Sequence, residues 1–165
     1  MNLVLLGVAG SGKTTVGRLL AEKLGGAWRF YDADDFHSAA NIAKMRGGMA
    51  LDDTDRAPWL ETLRAHLEAC SARGENAILA CSAIKEVYRR KLAGGDGATR
   101  FVYLKAEYDL IFARLRARPG HYFKESLLRS QFDALEEPGP GAALVVDAAL
   151  PPEEIVARIR RELGL

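Results

Sequence analysis

The chain has 165 residues, 48% of them hydrophobic, and 23 Lys and Arg against 22 Asp and Glu leave a formal net charge of +1. That size suits a single domain over residues 1–165 with one covered core, and the near-neutral balance argues against an extended surface for nucleic acid. No apolar run approaches the roughly 20 residues that span a bilayer, and no charged leader precedes the first apolar segment, so the sequence predicts a cytoplasmic protein with no membrane partner.

Asn2 to Leu6 (NLVLL) predicts a buried strand, followed by Gly7 to Thr14, GVAGSGKT. A helix comes next, with Val16, Leu19, Leu20 and Leu24 on one face and Gly25-Gly26 as its stop. Strand, glycine-rich loop and helix together make a P-loop: Gly7, Gly10 and Gly12 let backbone N–H groups converge on phosphate oxygens at a helix start. Lys13 is expected to reach the β- and γ-phosphates and the Thr14 hydroxyl to coordinate Mg²⁺. Gly7, Val8, Ala9, Gly10, Ser11, Gly12, Lys13 and Thr14 are therefore the predicted ATP site.

Arg29 to Asp32 predicts a second strand, ending in FYDADDFH. Asp32 and Asp34, two apart, would leave the same face of an extended segment. They read either as two carboxylates sharing an acceptor hydroxyl and a metal ion, or as residues of Asx-turns and caps. Roughly 45 residues then separate this strand from the next, where a crossover needs only about a dozen, so a substrate-binding insertion is expected at about 33–75. Its helix is predicted from about Pro58 to Ala72, with proline in the first turn. Ala77 to Cys81, Phe101 to Leu104 and Ala143 to Val146 complete five strands, and a last helix keeps Ile155, Val156, Ile159 and Leu163 on one side. Strands alternating with helices predict an α/β fold with a parallel sheet covered on both faces. Arginines crowd around Pro119-Gly120, which predicts a basic lid at about 114–124.

Cys70 and Cys81 lie in apolar surroundings and read as reduced packing residues. Asp147, at the end of the fifth strand, reads as a capping residue and not a metal ligand. No Asn-Lys-x-Asp guanine reader is present, and the third strand ends in Cys81-Ser82 where many P-loop ATPases place an acidic metal holder.

The chain resembles the gluconokinase family, of the thermoresistant type, almost end to end. The resemblance rests on GVAGSGKT, on DADDFH, on NIAKM at Asn41 to Met45, on LDDTDRAPWL at Leu51 to Leu60, on CSAIKEVYR at Cys81 to Arg89, on RARPGHYF at Arg116 to Phe123, and on SQFDALEEPG from Ser130 to Gly139. It implies the three-layer fold of nucleoside monophosphate and shikimate kinases, with a five-stranded parallel sheet and a small lid, and it implies a homodimer. It also implies ATP- and Mg²⁺-dependent phosphorylation of D-gluconate to 6-phospho-D-gluconate. Two other functions fit a P-loop: another small-metabolite kinase of this fold, such as shikimate kinase, or a nucleotide-binding switch without an acceptor. Shikimate kinases usually carry a glycine triplet where this chain has Cys81-Ser82-Ala83.

Carried onto this chain, the resemblance makes Asp34 the residue that binds and activates the acceptor hydroxyl, with Asp32 and Thr14 at the metal. Arg56 is expected at the gluconate carboxylate, unless Asp52, Asp53 or Asp55 pairs with it. His37, Ser82, Lys85, His121 and Gln131 are expected in the acceptor pocket, although His37 taken alone reads as a packing residue. Arg118 is expected at the transferred phosphoryl group and Arg114 at the adenine. Arg89, Arg90 and Lys91 read as a solvated helix face, and Trp28 and Trp59 as core or pocket wall. The chain departs from the family pattern at Ala33, where Gly is usual, at Ser38, where Pro is usual, and at Pro119 and Tyr122, where Lys and Phe are usual.

Overall fold

The computed structural model describes residues 1–95, 97–117 and 125–165. Five strands form one all-parallel sheet: β1 (Asn2–Leu6), β2 (Trp28–Asp32), β3 (Asn76–Cys81), β4 (Thr99–Lys105) and β5 (Leu144–Asp147). Their spatial order is β2, β3, β1, β4, β5, which matches the polarity of each strand. Every residue of β1 is buried, so it needs cover on both faces and a neighbour on both edges. Leu6 accordingly stands opposite Cys81 of β3 and Tyr103 of β4. β2 and β5 carry exposed positions and form the edges.

The pleat of β1 divides the core. Leu3 and Leu5 face α1 (Lys13–Leu24) and α7 (Pro152–Leu163), packing with Val16, Leu20, Ile155 and Ile159. Val4 and Leu6 face α3 (Asp53–Ala72) and α4 (Glu86–Ala93), packing with Leu60, Leu63, Leu67 and Leu92. Burying a leucine fully, as several of these are, contributes about 1.5–3 kcal/mol. A third cluster lies at the carboxyl end of the sheet, where Val8, Ile84, Ile111, Leu115 and Leu128 tie the P-loop to α5 (Tyr108–Arg116) and α6 (Glu125–Asp133).

The stretch between β2 and β3 folds as a 3₁₀ turn (Ala33–Phe36), α2 (Ala39–Arg46) and α3. Two expectations change here. Asp34 lies in the 3₁₀ turn and not in an extended segment, because the Asp32 side chain accepts from the Asp34 N–H at 3.2 Å and curls the chain as β2 ends. Helix α3 begins at Asp53, five residues before the proline that sequence reasoning took as its start. Asp52 and Asp55 form a reciprocal capping box, each carboxylate accepting from the other's backbone N–H, and this signal outweighs Pro58. Ser38, at the position where the family usually has Pro, caps α2 by accepting from the Asn41 N–H at 3.1 Å.

The capping box is testable because the first turn of α3 also carries Asp53 and Arg56. Asp52→Ala should lower the free energy of unfolding in urea by about 1 kcal/mol, whereas Asp52→Asn, itself a good cap, should stay within a few tenths. Equal stability of both variants would remove the cap from this account.

Candidate active site

The P-loop leaves β1 in a conformation only glycine takes easily: Gly7, Gly10 and Gly12 have φ of 147°, 80° and 98°. At Gly7 a Cβ would also stand 2.9 Å from the Leu104 carbonyl oxygen and 2.8 Å from Ser11 Oγ, so no side chain fits. Gly12 precedes α1 with no side-chain cap, which leaves the first N–H groups of the helix free to meet an anion. Lys13 Nζ folds over the loop and donates to the carbonyls of Gly7 and Val8, both at 2.9 Å. Thr14 Oγ1 donates to Asp32 Oδ2 at 2.8 Å. These are the features of a phosphate cradle with a hydroxyl and a carboxylate at its edge.

Beside the cradle a cavity of about 350 Å³ opens between the P-loop, α5 and the loop from β5 to α7, lined by Gly10, Ser11, Gly12, Thr15, Leu150 and Arg114 among others. Arg114 is fastened there by donating to the Ala148 carbonyl at 2.8 Å. Asp147 Oδ1 accepts from the Ala149 N–H at 2.8 Å and so closes a turn, in line with a capping role.

On the other side of the P-loop, a cleft of about 280 Å³ gathers most of the predicted residues. Ala9, Gly10, Gly12, Lys13 and Thr14 form its donor wall. Asp32, Asp34, His37, Arg56, Ser82 and Gln131 complete its lining, with Asp32 and Gln131 bonded to the P-loop itself. An adjoining cavity of about 440 Å³ shares Arg56 and Gln131 and adds Asp53, Lys85 and Tyr88. Three predicted residues contribute differently. The Val8 side chain belongs to the third core cluster and only its carbonyl faces Lys13; the Ser11 side chain is buried; and Lys85 is held by Asp53, at 2.8 and 3.1 Å. Arg118 and His121 lie outside the described residues.

The charges in the cleft are arranged by packing. Arg56 is followed by Trp59 one helical turn on, and its guanidinium carbon lies 6.0 Å from the Trp59 ring and 5.8 Å from the Tyr88 ring. Its Nε donates to the Leu51 carbonyl at 3.3 Å. The three aspartates that could have neutralised it are engaged elsewhere: Asp52 and Asp55 cap the helix and bind Lys44, while Asp53 binds Lys85 and the Tyr88 hydroxyl. Among the described residues no carboxylate lies within ion-pair distance of Arg56. The cation is thus held by aromatic faces, with its fork available to a ligand.

His37 stacks on Trp59 at 4.4 Å between centroids, nearly parallel, and Trp59 is itself pinned by donating from Nε1 to the Ala33 carbonyl at 2.8 Å. Burial pushes the His37 pKa below its ordinary value, with Asp34 opposing and Arg56 acting the same way as burial, which favours the uncharged ring. Its Nδ1 is buried without a partner among the described residues. Asp34 is shifted the other way: crowding by the cleft walls raises its pKa first, and the Asp32 carboxylate adds to this, against His37 and Lys13. With 81% of its side chain accessible, water screens much of that effect while the cleft is open.

Two residues important to this geometry escaped sequence reasoning. Tyr88, one turn after Lys85 on α4, supplies both a face for Arg56 and a hydroxyl for Asp53. Arg89 is not on a solvated face, as its neighbours Arg90 and Lys91 are. It is 6% exposed and donates to the carbonyls of Ala83 and Ile84, clamping the loop that follows Ser82. The amphipathic spacing of α4, with Tyr88, Arg89 and Leu92 inward, was the available signal.

Known proteins resemble this chain over nearly its whole length. The AAA domain family model matches residues 3–132. A probable gluconokinase of Mus musculus is 43% identical over 181 residues, covering 98% of this chain and 96% of the mouse protein. The thermoresistant gluconokinase of Escherichia coli K12 is 43% identical over 156 residues, covering 93% of this chain and 88% of its own length. The crystal structure of a gluconokinase from Sinorhizobium meliloti 1021 superposes with a TM-score of 0.83 at 37% identity, covering 99% of this chain and 95% of that one. With a P-loop cleft of this construction and identities of this level running nearly end to end, the chain belongs to the gluconokinase family of nucleotide-binding kinases.

Proposed function

We propose that this protein transfers the γ-phosphoryl group of ATP to the terminal hydroxyl of D-gluconate, giving 6-phospho-D-gluconate and ADP. The observation that carries this reading is the guanidinium of Arg56, without a carboxylate partner among the described residues, in the cleft that the P-loop also lines. A sugar acid needs such a cation for its carboxylate, and a phosphoryl acceptor needs its far end against Asp34 and the donor loop.

In this reading the P-loop amides and Lys13 hold the β- and γ-phosphates, and the cavity at Arg114 takes the adenine. Arg56 receives the gluconate carboxylate in a bidentate, charge-assisted contact. The polyol hydroxyls run towards Ser82, His37 and Gln131, with Lys85 beyond, and bring the terminal hydroxyl to Asp34. The hydroxyl oxygen then forms a bond to the γ-phosphorus as the bond to the β-phosphate oxygen breaks, and the hydroxyl proton passes to Asp34. Thr14 Oγ1 and Asp32 Oδ2, adjacent oxygens at the cradle's edge, suit Mg²⁺, which prefers oxygen and keeps much of its coordination for water and phosphate. Bound there, the ion supplies neutralisation of charge on the phosphate oxygens. Arg118 at the transferred phosphoryl group and His121 in the acceptor pocket remain part of the proposal on family resemblance, as do the lid at about 114–124, cytoplasmic location and a homodimer.

The direct test is ADP release with gluconate, shikimate and neutral sorbitol offered in turn. Stimulation by gluconate alone is expected, and stimulation by shikimate but not gluconate would replace the reading. Arg56→Ala should lower kcat/KM for gluconate by about 10- to 100-fold, the worth of one charge-assisted contact, and leave the KM for ATP within about threefold. Unchanged gluconate kinetics would remove Arg56 from the carboxylate.

Asp34→Asn should retain nucleotide binding and lose at least about 100-fold in kcat, the range of a positioned general base. The pH dependence follows from the sign of the shift: Asp34 acts ionised, and its raised pKa means that it protonates sooner as pH falls. The acid limb of kcat/KM for gluconate should therefore lie above the ordinary carboxyl value of 3.8 and be absent from Asp34→Asn. An identical limb in the variant would assign that titration to another group.

A further inference from the structure

Helix α6 meets the donor loop through a polar side chain as well as through Leu128. Gln131 Oε1 accepts from the Ala9 N–H at 2.7 Å, across 122 residues of sequence. A backbone N–H can only donate, so the atom facing Ala9 must be the carbonyl oxygen of the amide, which leaves Nε2 with two hydrogens to give. No described residue accepts them. Gln131 also lines both the P-loop cleft and the adjoining cavity, a position it shares with Arg56.

The helix behind this side chain is held at two points, and the loop it is bound to is clamped in turn. Leu128, one turn earlier, packs with Val8, Ile84, Ile111 and Leu115. The chain leaving α6 is bound to the loop after β3, where Glu136 donates its N–H to the Ile84 carbonyl at 2.9 Å and its Oε2 accepts from the Glu86 N–H at 2.6 Å. Arg89 clamps the same loop from inside through the Ala83 and Ile84 carbonyls. Gln131 is therefore fixed relative to the P-loop and to the loop bearing Ser82, at the seam where donor and acceptor meet.

We infer that Gln131 is a positioning residue for phosphoryl transfer: its Oε1 registers α6 on the P-loop amide of Ala9, and its Nε2 donates to the polyol chain of the acceptor, aligning the terminal hydroxyl with the phosphoryl group. The inference rests on the sugar-acid reading of the cleft. Alignment of this kind matters because a displacement of about 1 Å from the attack geometry can cost on the order of 100-fold in rate.

Glutamate and leucine separate the two ends of the side chain. Gln131→Glu keeps an oxygen for the Ala9 N–H but replaces the donor with a charge that repels a sugar acid; Gln131→Leu removes both contacts. For Gln131→Glu, ADP affinity within about threefold of wild type is expected, with the gluconate KM raised at least about tenfold and kcat reduced. For Gln131→Leu, a lower melting temperature is expected as well, and more ATP consumed than phosphogluconate formed, because the acceptor is no longer aligned. Wild-type gluconate kinetics in Gln131→Glu would overturn the inference, as would loss of ADP affinity in both variants with the gluconate KM unmoved, which describes a brace for the donor loop only. Wild-type turnover measured alongside keeps the two claims apart. A wild-type enzyme indifferent to gluconate overturns the sugar-acid reading and the inference with it, whereas an active wild type with an equally active Gln131→Glu overturns the role of Gln131 alone.

Discussion

Asp32 uses its two oxygens on two different parts of the site. Oδ2 accepts the Thr14 hydroxyl of the P-loop, and Oδ1 accepts the N–H of Asp34, curling the end of β2 into the 3₁₀ turn. One carboxylate thereby sets the distance between the donor loop and the residue proposed to meet the acceptor. Its own place is set by the sheet, since Asp32 ends β2 opposite Ala80 of β3, and β3 lies beside β1, from which the P-loop springs. The central strand is apolar on both faces, so the sheet cannot shift without exposing core. The site inherits that rigidity.

The same economy appears in the distribution of charge. LDDTDR places three aspartates within four residues of an arginine, and a surface helix start of this kind would ordinarily neutralise itself. Here the capping box takes Asp52 and Asp55, with Lys44 as their counter-ion, and Lys85 with Tyr88 takes Asp53. Arg56 is left against Trp59 and Tyr88, and Trp59 also carries His37 on its face. Aromatic faces orient a guanidinium without consuming its hydrogen bonds, which is what a carboxylate-binding residue requires. The same packing lowers the His37 pKa, which favours an uncharged ring beside the Arg56 cation.

Much of this was legible in the sequence because it is encoded locally. The P-loop, the strand pattern and the amphipathic faces of α1 and α7 depend on spacings of a few residues, and each stands where those spacings put it. The failures came where two local signals competed. Proline is a helix-start signal, but the Asp52–Asp55 box placed the start five residues earlier. Alternation predicted Asp32 and Asp34 on one extended face, but a side-chain cap bent the chain first. Arg89 was misread because its partners are backbone carbonyls, which no sequence displays. The contact between Gln131 and Ala9 joins segments 122 residues apart and could only be seen once the fold had brought them together.

The central claim is an orientation: sugar-acid carboxylate on Arg56, terminal hydroxyl on Asp34, with the donor phosphates beyond. A crystal structure with gluconate and a non-hydrolysable ATP analogue tests it most directly. The account predicts both carboxylate oxygens on the Arg56 guanidinium and the terminal hydroxyl within hydrogen-bond distance of Asp34. Gluconate bound in the opposite sense, or bound with Arg56 turned away from its carboxylate, would contradict it.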